Sequence, residues 1–213
     1  MRFTKVREMK RRADFILEEV FRSLFEEIDT DKIQKEVEDL KQSAPEYRPL
    51  RHARILARRT AIRCAAAGAV TGLPGGALAI GALGADLAYL VYQQFRLILG
   101  IAAIYGYSPT GRERFAEAFS CLAYSSGVGI GKQGIATVLG SAMEGGAVAE
   151  RIGARMARER LARLVPLVGA VSGGALNYVS VRAVGRSAIR YYESLVDDAL
   201  ADEIWAEGDR EHA

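Results

Sequence analysis

The middle of the chain is almost free of charge. From Cys64 to Gly111 it runs for 48 residues with only two charged side chains, Asp86 and Arg96. The 63 residues before this segment carry 28 charges and no glycine, whereas 20 of the 22 glycines lie between Gly68 and Gly174. A segment so apolar and so rich in small residues must be buried in protein or in lipid.

Apolar residues recur at helical spacing in the charged N-terminal part. They are interrupted at Asp29 and Thr30, two residue types that favour helix N-caps, so this part forms two amphipathic helices or one kinked helix. The periodic positions are Leu17, Phe21, Leu24 and Ile28, then Ile33, Val37 and Leu40. No run alternates with the two-residue period of a half-buried strand, so the sequence predicts an all-α fold.

The length of 213 residues suits one domain. We predict a single helical domain of glycine- and alanine-rich, close-packed helices and hairpins over residues 48–206. An amphipathic, charged helical extension precedes it at residues 1–47, and an acidic tail follows at residues 207–213. The two cysteines, Cys64 and Cys121, lie in apolar segments without a paired spacing, so we expect small buried hydrophobes in a reducing compartment.

Prolines and glycines predict where the helices are interrupted. Pro45 and Pro49 should end the N-terminal region, after which a helix resumes from Arg51. Residues 72–76, with sequence Gly-Leu-Pro-Gly-Gly, should break or sharply bend the chain. Ser108 followed by Pro109 predicts a helix start, and residues 165–174 predict another interruption.

Two arginine runs border uncharged segments. Residues 48–63 hold six arginines and no acid, and the 22 residues from Cys64 to Ala85 carry no charge. Residues 151–163 hold five arginines against one glutamate, and the 18 residues 164–181 are again uncharged. This order favours a cytoplasmic membrane surface, where anionic lipid attracts each nearby Lys or Arg by about 1 kcal/mol. The alternative is that the arginines solvate exposed helix faces.

The uncharged segments are long enough to span a bilayer, but Ala and Gly gain little from transfer into hydrocarbon. Re-entrant or interfacial helical hairpins therefore fit better than clean spans. The candidate membrane contacts are the apolar residues Leu73, Leu78, Ile80 and Leu83, together with the arginines Arg51, Arg54, Arg58, Arg59 and Arg63.

Asp86 and Arg96 need partners, because an unpaired buried charge is costly. On one helix they would differ by about 80° in azimuth and about 15 Å in height, so they cannot pair directly. The other polar residues in uncharged surroundings are Tyr105, Lys132, Glu144 and Asn177. We favour a buried polar network that fixes helix packing over the alternative, a site for a lipid-like ligand.

Several catalytic and cofactor motifs fail in context. Residues 129–134 read G-x-G-x-x-G, but no βαβ unit surrounds them, and Gln133 replaces the Ser or Thr of a P-loop. The two histidines, His52 and His212, supply neither a triad nor a metal cluster, and His52 is predicted on the surface of the basic helix. We therefore expect no enzyme, no metal, no cofactor and no nucleic acid partner.

Several short motifs in a fixed order resemble the EcsC protein family. They are Thr71-Gly72-Leu73-Pro74-Gly75-Gly76, Ala85-Asp86-Leu87, Arg96-Leu97-Ile98, Ile101-Ala102-Ala103-Ile104-Tyr105-Gly106-Tyr107, and Val165-Pro166-Leu167-Val168-Gly169-Ala170 followed by Asn177. The resemblance extends from about Arg51 to Tyr192. Gly84 stands where the family pattern has a proline before the Ala-Asp pair.

That resemblance implies a bacterial helical protein, membrane-associated or cytoplasmic, without established catalysis and in some cases encoded beside a transporter. Together with the residues, it predicts a non-catalytic protein at the cytoplasmic face of a membrane. Its partners would be membrane lipid, with anionic lipid preferred, and a membrane protein of a transport system. The alternative is a soluble helical domain that binds a lipid-like ligand.

Overall fold

The computed structural model describes residues 19–71, 77–110, 112–125 and 168–211, and within them the side chains of 19–70, 87–110, 114–125 and 174–197. These residues form six helices and no strand, which confirms the predicted all-α fold. The helices are α1 (residues 19–26), α2 (Thr30–Ser43), α3 (Pro49–Thr71), α4 (Ala77–Ile104), α5 (Arg112–Ser125) and α6 (Val168–Glu211).

Local capping explains where α2 and α3 begin. The carboxylate of Asp29 accepts a hydrogen bond from the backbone N–H of Lys32 at 3.0 Å, so the predicted break at Asp29 and Thr30 is confirmed. Pro49 was predicted to end the N-terminal region, but it is the first residue of α3. At that position the N–H that proline lacks would have had no partner within the helix, so the helix starts there at little cost.

The interruption predicted at residues 165–174 is absent from its described part, where α6 runs unbroken from Val168 through Gly174. The break predicted at residues 72–76 lies outside the described residues. A Cβ atom at Gly174 would lie 2.9 Å from the backbone oxygen of Ala65 in α3. Glycine therefore lets two helices approach closely here, and this packing offsets its helix propensity, which is about 1 kcal/mol worse than that of alanine.

The connection into α5 also differs from the prediction. Ser108 and Pro109 precede the helix, which begins at Arg112. The hydroxyl of Ser108 accepts a hydrogen bond from the N–H of Thr110 at 3.3 Å, so it stabilises a turn and does not cap the helix. The predicted helix nevertheless follows this turn.

α3 runs antiparallel to both α4 and α6 and packs most extensively on α6. A Cβ at Gly185 of α6 would lie 2.8 Å from the Cβ of Ala57, eight residues before the Ala65 contact of Gly174. A Cβ at Gly100 of α4 would lie 2.8 Å from Leu56. Small residues thus line the contacts of α3 with both neighbours, as the composition predicts.

Five phenylalanines tie the N-terminal helix to the core. Phe21 and Phe25 of α1 contact Phe95 of α4 and Phe115 and Phe119 of α5, with ring centroids 5.3 to 6.3 Å apart. The described part of the predicted extension therefore packs on the domain and shares one apolar core with it. The boundaries of the extension and of the acidic tail stay predictions.

One described helix, α4, is apolar and long enough to cross a membrane, in the window Leu87–Ile104. The rest of the protein buries 61% of that window. Leu97, Ile98 and Ile101 are each at most 1% exposed. This stretch is thus the centre of a protein core. A buried core helix can have the same length and composition as a transmembrane helix.

Candidate functional site

Beyond one level of the bundle, three helices carry a single charged residue between them, Asp86. Arg63 is the last charged residue of α3, and Arg182 is the first of α6. In α4, Arg96 follows a segment in which Asp86 is the only charge. We call this level the charge boundary. Residues 64–71, 77–95 and 168–181 beyond it form what we call the apolar end.

Two hydrogen bonds hold the three helices in this register. The side-chain amide of Asn177 in α6 donates to the carbonyl oxygen of Cys64 in α3 at 3.0 Å. The amide of Gln94 in α4 donates to the hydroxyl of Ser180 in α6 at 2.9 Å. Because each of these residues lies within five positions of its helix's boundary arginine, the three arginines lie at similar heights along the bundle.

Large apolar side chains are exposed at the apolar end. Val70 is 66% exposed and Val179 is 61% exposed, and Tyr89 and Tyr178 are 38% and 36% exposed. Single exposed apolar residues are common on soluble proteins. Here they occur on all three helices, on the side of the boundary where the sequence carries almost no charge to solvate the surface.

A carboxylate shared by two arginines lies at the charge boundary. One oxygen of Glu36 in α2 contacts Arg63 and the other contacts Arg96, both at 2.9 Å. The side chain of Arg96 is 22% exposed and that of Glu36 is 32% exposed. The predicted need of Arg96 for a partner on another helix is confirmed, but Glu36 was not among the candidates, because it sits in a run of surface-like charges.

A surface depression of about 450 Å³ opens beside this ion pair, between α2, α3 and α4. Four cationic and two anionic side chains line it, so its lining is positive. The residues are Lys32, Lys35, Arg59 and Arg96, then Glu36 and Asp39, with Leu40 and Ser43. We call it the basic depression.

The predicted polar network is not assembled from its described members. Arg96 pairs with Glu36, whereas Asn177 contacts the backbone at Cys64. The hydroxyl of Tyr105 is buried and faces the carboxylate of Glu193. Burial and then the charge of Glu193 raise the pKa of Tyr105 well above its usual value. These three residues therefore occupy separate places. Lys132 and Glu144 lie outside the described residues, as does the side chain of Asp86.

A second buried polar cluster, which was not predicted from the sequence, joins α5 and α6. Glu117 is 8% exposed and accepts hydrogen bonds from Arg114 and, at 3.0 Å, from the hydroxyl of Tyr192. Burial, followed by the charge of Glu117, raises the pKa of the Cys121 thiol to about 12. A thiol held neutral is a poor nucleophile, and the hydrogen bond from Tyr192 to Glu117 ties α6 to α5. The only sequence signal was the spacing of three between Arg114 and Glu117.

The predicted arginine contacts of α3 are all exposed. Arg51 lies over the ring of Tyr47 at 3.6 Å from its centroid, and Arg63 is paired as described. His52, in the same helix, was predicted on the surface but is 3% exposed. Its Nε2 lies 3.0 Å from the carbonyl oxygen of Ala44, so it fastens the turn before α3.

The side chains of the predicted apolar membrane contacts lie outside the described set. Leu73 lies outside the described residues, as does the motif at residues 129–134. Leu78, Ile80 and Leu83 belong to α4, but their side chains are outside the described set. Among the described residues, no three His, Cys, Asp or Glu side chains are grouped to hold a metal ion.

The sequence model described as the EcsC protein family matches residues 7–194. This span includes the charge boundary, the apolar end and most of the N-terminal extension. No curated protein and no solved structure matches the chain.

Proposed function

The chain belongs to the EcsC protein family, and from that premise we propose that it acts without catalysis at the cytoplasmic face of a membrane. Its apolar end enters the lipid, and the arginines at and below the charge boundary contact anionic headgroups. The observation that carries this proposal is the common level beyond which three adjoining helices carry only one charged residue, Asp86.

Partition supplies the binding energy in this mechanism. Full burial of a valine-sized side chain contributes about 1.5 to 3 kcal/mol, so Val70 and Val179, each about two-thirds exposed, would contribute about 1 to 2 kcal/mol each. Each exposed arginine near an anionic surface adds about 1 kcal/mol. The two contributions are of similar size, so both are needed for firm binding.

Peripheral insertion fits the burial of α4 better than a transmembrane span does. The protein itself covers most of Leu87–Ile104, so this helix has little surface left for lipid. The same burial supports the second candidate, a soluble helical domain that encloses a lipid-like ligand. A role beside a transport protein of the membrane comes from the family resemblance alone and belongs to the proposal as its partner class.

The test is flotation of the purified full chain with vesicles. We expect binding to rise with the fraction of anionic lipid and to fall, without vanishing, as salt is raised, because exposed charges are screened within about 10 Å at 0.1 M ionic strength. Equal binding to neutral and anionic vesicles would remove the role of the arginines. Absence of binding, with lipid copurifying, would favour the soluble alternative.

Matched valine variants test which end inserts. Val179 at the apolar end and Val20 in α1 are both exposed, at 61% and 45%. Val179→Glu should weaken vesicle binding at least tenfold because a carboxylate would have to enter lipid. Val20→Glu adds the same charge in α1, outside the residues of the apolar end, and should change binding only slightly. Equal effects of the two variants would contradict insertion of the apolar end.

A further inference from the structure

The basic depression carries more positive charge than its own acids neutralise. Lys32 is paired with Asp29 at 3.0 Å, and Arg96 shares Glu36 with Arg63. Lys35 and Arg59 also line the depression, and neither has an ion-pair partner within the described part of the chain. Two cations are therefore available to a ligand without breaking an existing pair.

Arg96 is held in place for such a ligand. A single nitrogen, Nη2, contacts Glu36, and the guanidinium carries further N–H donors that this contact leaves unused. Because the ion pair fixes the side chain, little conformational entropy is lost when these donors bind an anion. Arginine and lysine together are the side chains that recognise phosphate oxygens.

The depression also has the size and place of a headgroup site. Its volume of about 450 Å³ falls within the range of about 300 to 1,000 Å³ that is usual for small-molecule sites. The depression opens at the charge boundary, since Arg96 lines the depression and also marks the boundary on α4. A lipid whose phosphate entered it would have its acyl chains at the adjoining apolar end.

From these observations we propose that the basic depression binds a phosphomonoester group, with Lys35, Arg59 and Arg96 as its ligands. The claim that this phosphomonoester belongs to a lipid rests on the proposed function, whereas the claim that the depression recognises phosphate does not. The same chemistry is offered by a soluble phosphate, so the experiment must distinguish the two sources.

The experiment compares two double variants with the same loss of charge. Lys35→Gln/Arg59→Gln removes the unpaired cations of the depression. Arg54→Gln/Arg58→Gln removes two exposed arginines of α3 that do not line it. Each is measured against phosphatidylcholine vesicles containing phosphatidate or, at matched surface potential, phosphatidylserine. Binding of soluble glycerol 3-phosphate is measured by titration calorimetry, and circular dichroism verifies the fold of each variant.

The unmodified protein should prefer phosphatidate vesicles by about fivefold or more, since one further contact to a fixed charge is worth about that factor. Lys35→Gln/Arg59→Gln should abolish this preference and weaken glycerol 3-phosphate binding about tenfold or more. Arg54→Gln/Arg58→Gln should weaken binding to both kinds of vesicle and leave the ratio of the two affinities unchanged.

Other outcomes separate this site from the proposed function. Glycerol 3-phosphate binding that depends on Lys35 and Arg59, without vesicle binding, would support the site with a soluble phosphate as its source and would contradict membrane insertion. Vesicle binding without a phosphatidate preference, and without glycerol 3-phosphate binding, would overturn the site and leave membrane binding in place. Identical behaviour of the two double variants would also overturn it.

Discussion

Gly185→Ala is expected to destabilise the protein, although alanine is the better helix former. In the middle of α6 the substitution should gain about 1 kcal/mol of helix propensity. The new Cβ, however, would lie 2.8 Å from the Cβ of Ala57 and 3.9 Å from its Cα. Neither atom can rotate away, so the two helices must separate. Such overpacking typically costs about 1 to 3 kcal/mol, which leaves a net loss of up to about 2 kcal/mol.

Gly100→Ala is the matched control for this argument. Its Cβ would also meet an atom at 2.8 Å, but that atom is Cδ2 of Leu56, the far end of a flexible side chain. A small rotation relieves the contact, so the propensity gain should roughly balance the strain and the variant should be within about 0.5 kcal/mol of the unmodified protein.

Urea unfolding followed by circular dichroism measures both variants. The paired change Ala57→Gly/Gly185→Ala moves the methyl group from α3 to α6 and should recover part of the loss, with a coupling free energy of about 1 kcal/mol or more. If Gly185→Ala were as stable as Gly100→Ala, or if the paired change were merely additive, the close contact of α3 with α6 would not limit packing.

Two further perturbations test the electrostatics. Glu36→Gln removes the carboxylate that two arginines share. Because this ion pair is only partly exposed, the change should lower the free energy of unfolding by about 1 kcal/mol in the same urea assay. The control Glu38→Gln, on the exposed side of α2, should leave the free energy of unfolding unchanged. Stability should also fall above about pH 8.5, because an unfolded thiol ionises there while burial raises the pKa of Cys121 to about 12. In this window the folded state binds more protons, so each such group lowers the free energy of unfolding by up to about 1.4 kcal/mol per pH unit. Cys121→Ala should give a shallower decline between pH 8.5 and 10, and an unchanged slope would refute the assignment.

Local patterns in the sequence predicted the helices well where one face is apolar and the other charged. Ile33, Val37 and Leu40 were predicted to lie on one side of α2, and each is at most 3% exposed. Both cysteines are buried and free, as expected. These features depend on spacing within a single helix, which the order of residues contains directly.

The predictions that failed depend on contacts between distant segments. The interruption expected before Gly174 is absent because Ala65, more than a hundred residues earlier, packs against that glycine. His52 is buried because the turn at Ala44 folds over it. The Glu36 partner of Arg96 lies 60 residues away. No local pattern distinguishes a glycine that bends a chain from one that receives a neighbouring helix.

The charge boundary is a property of the helix register and not of any one helix. α3 and α6 approach closely at two places, Gly185 against Ala57 and Gly174 against Ala65, and two contacts fix both the tilt and the register of a helix pair. A slip of one helical turn would move Arg182 by about 5.4 Å relative to Arg63. The glycines that make the pair close therefore also keep the three helices aligned at one level. Helix packing and the proposed membrane contact thus depend on the same small residues, and a variant that separates α3 from α6 should lose both together.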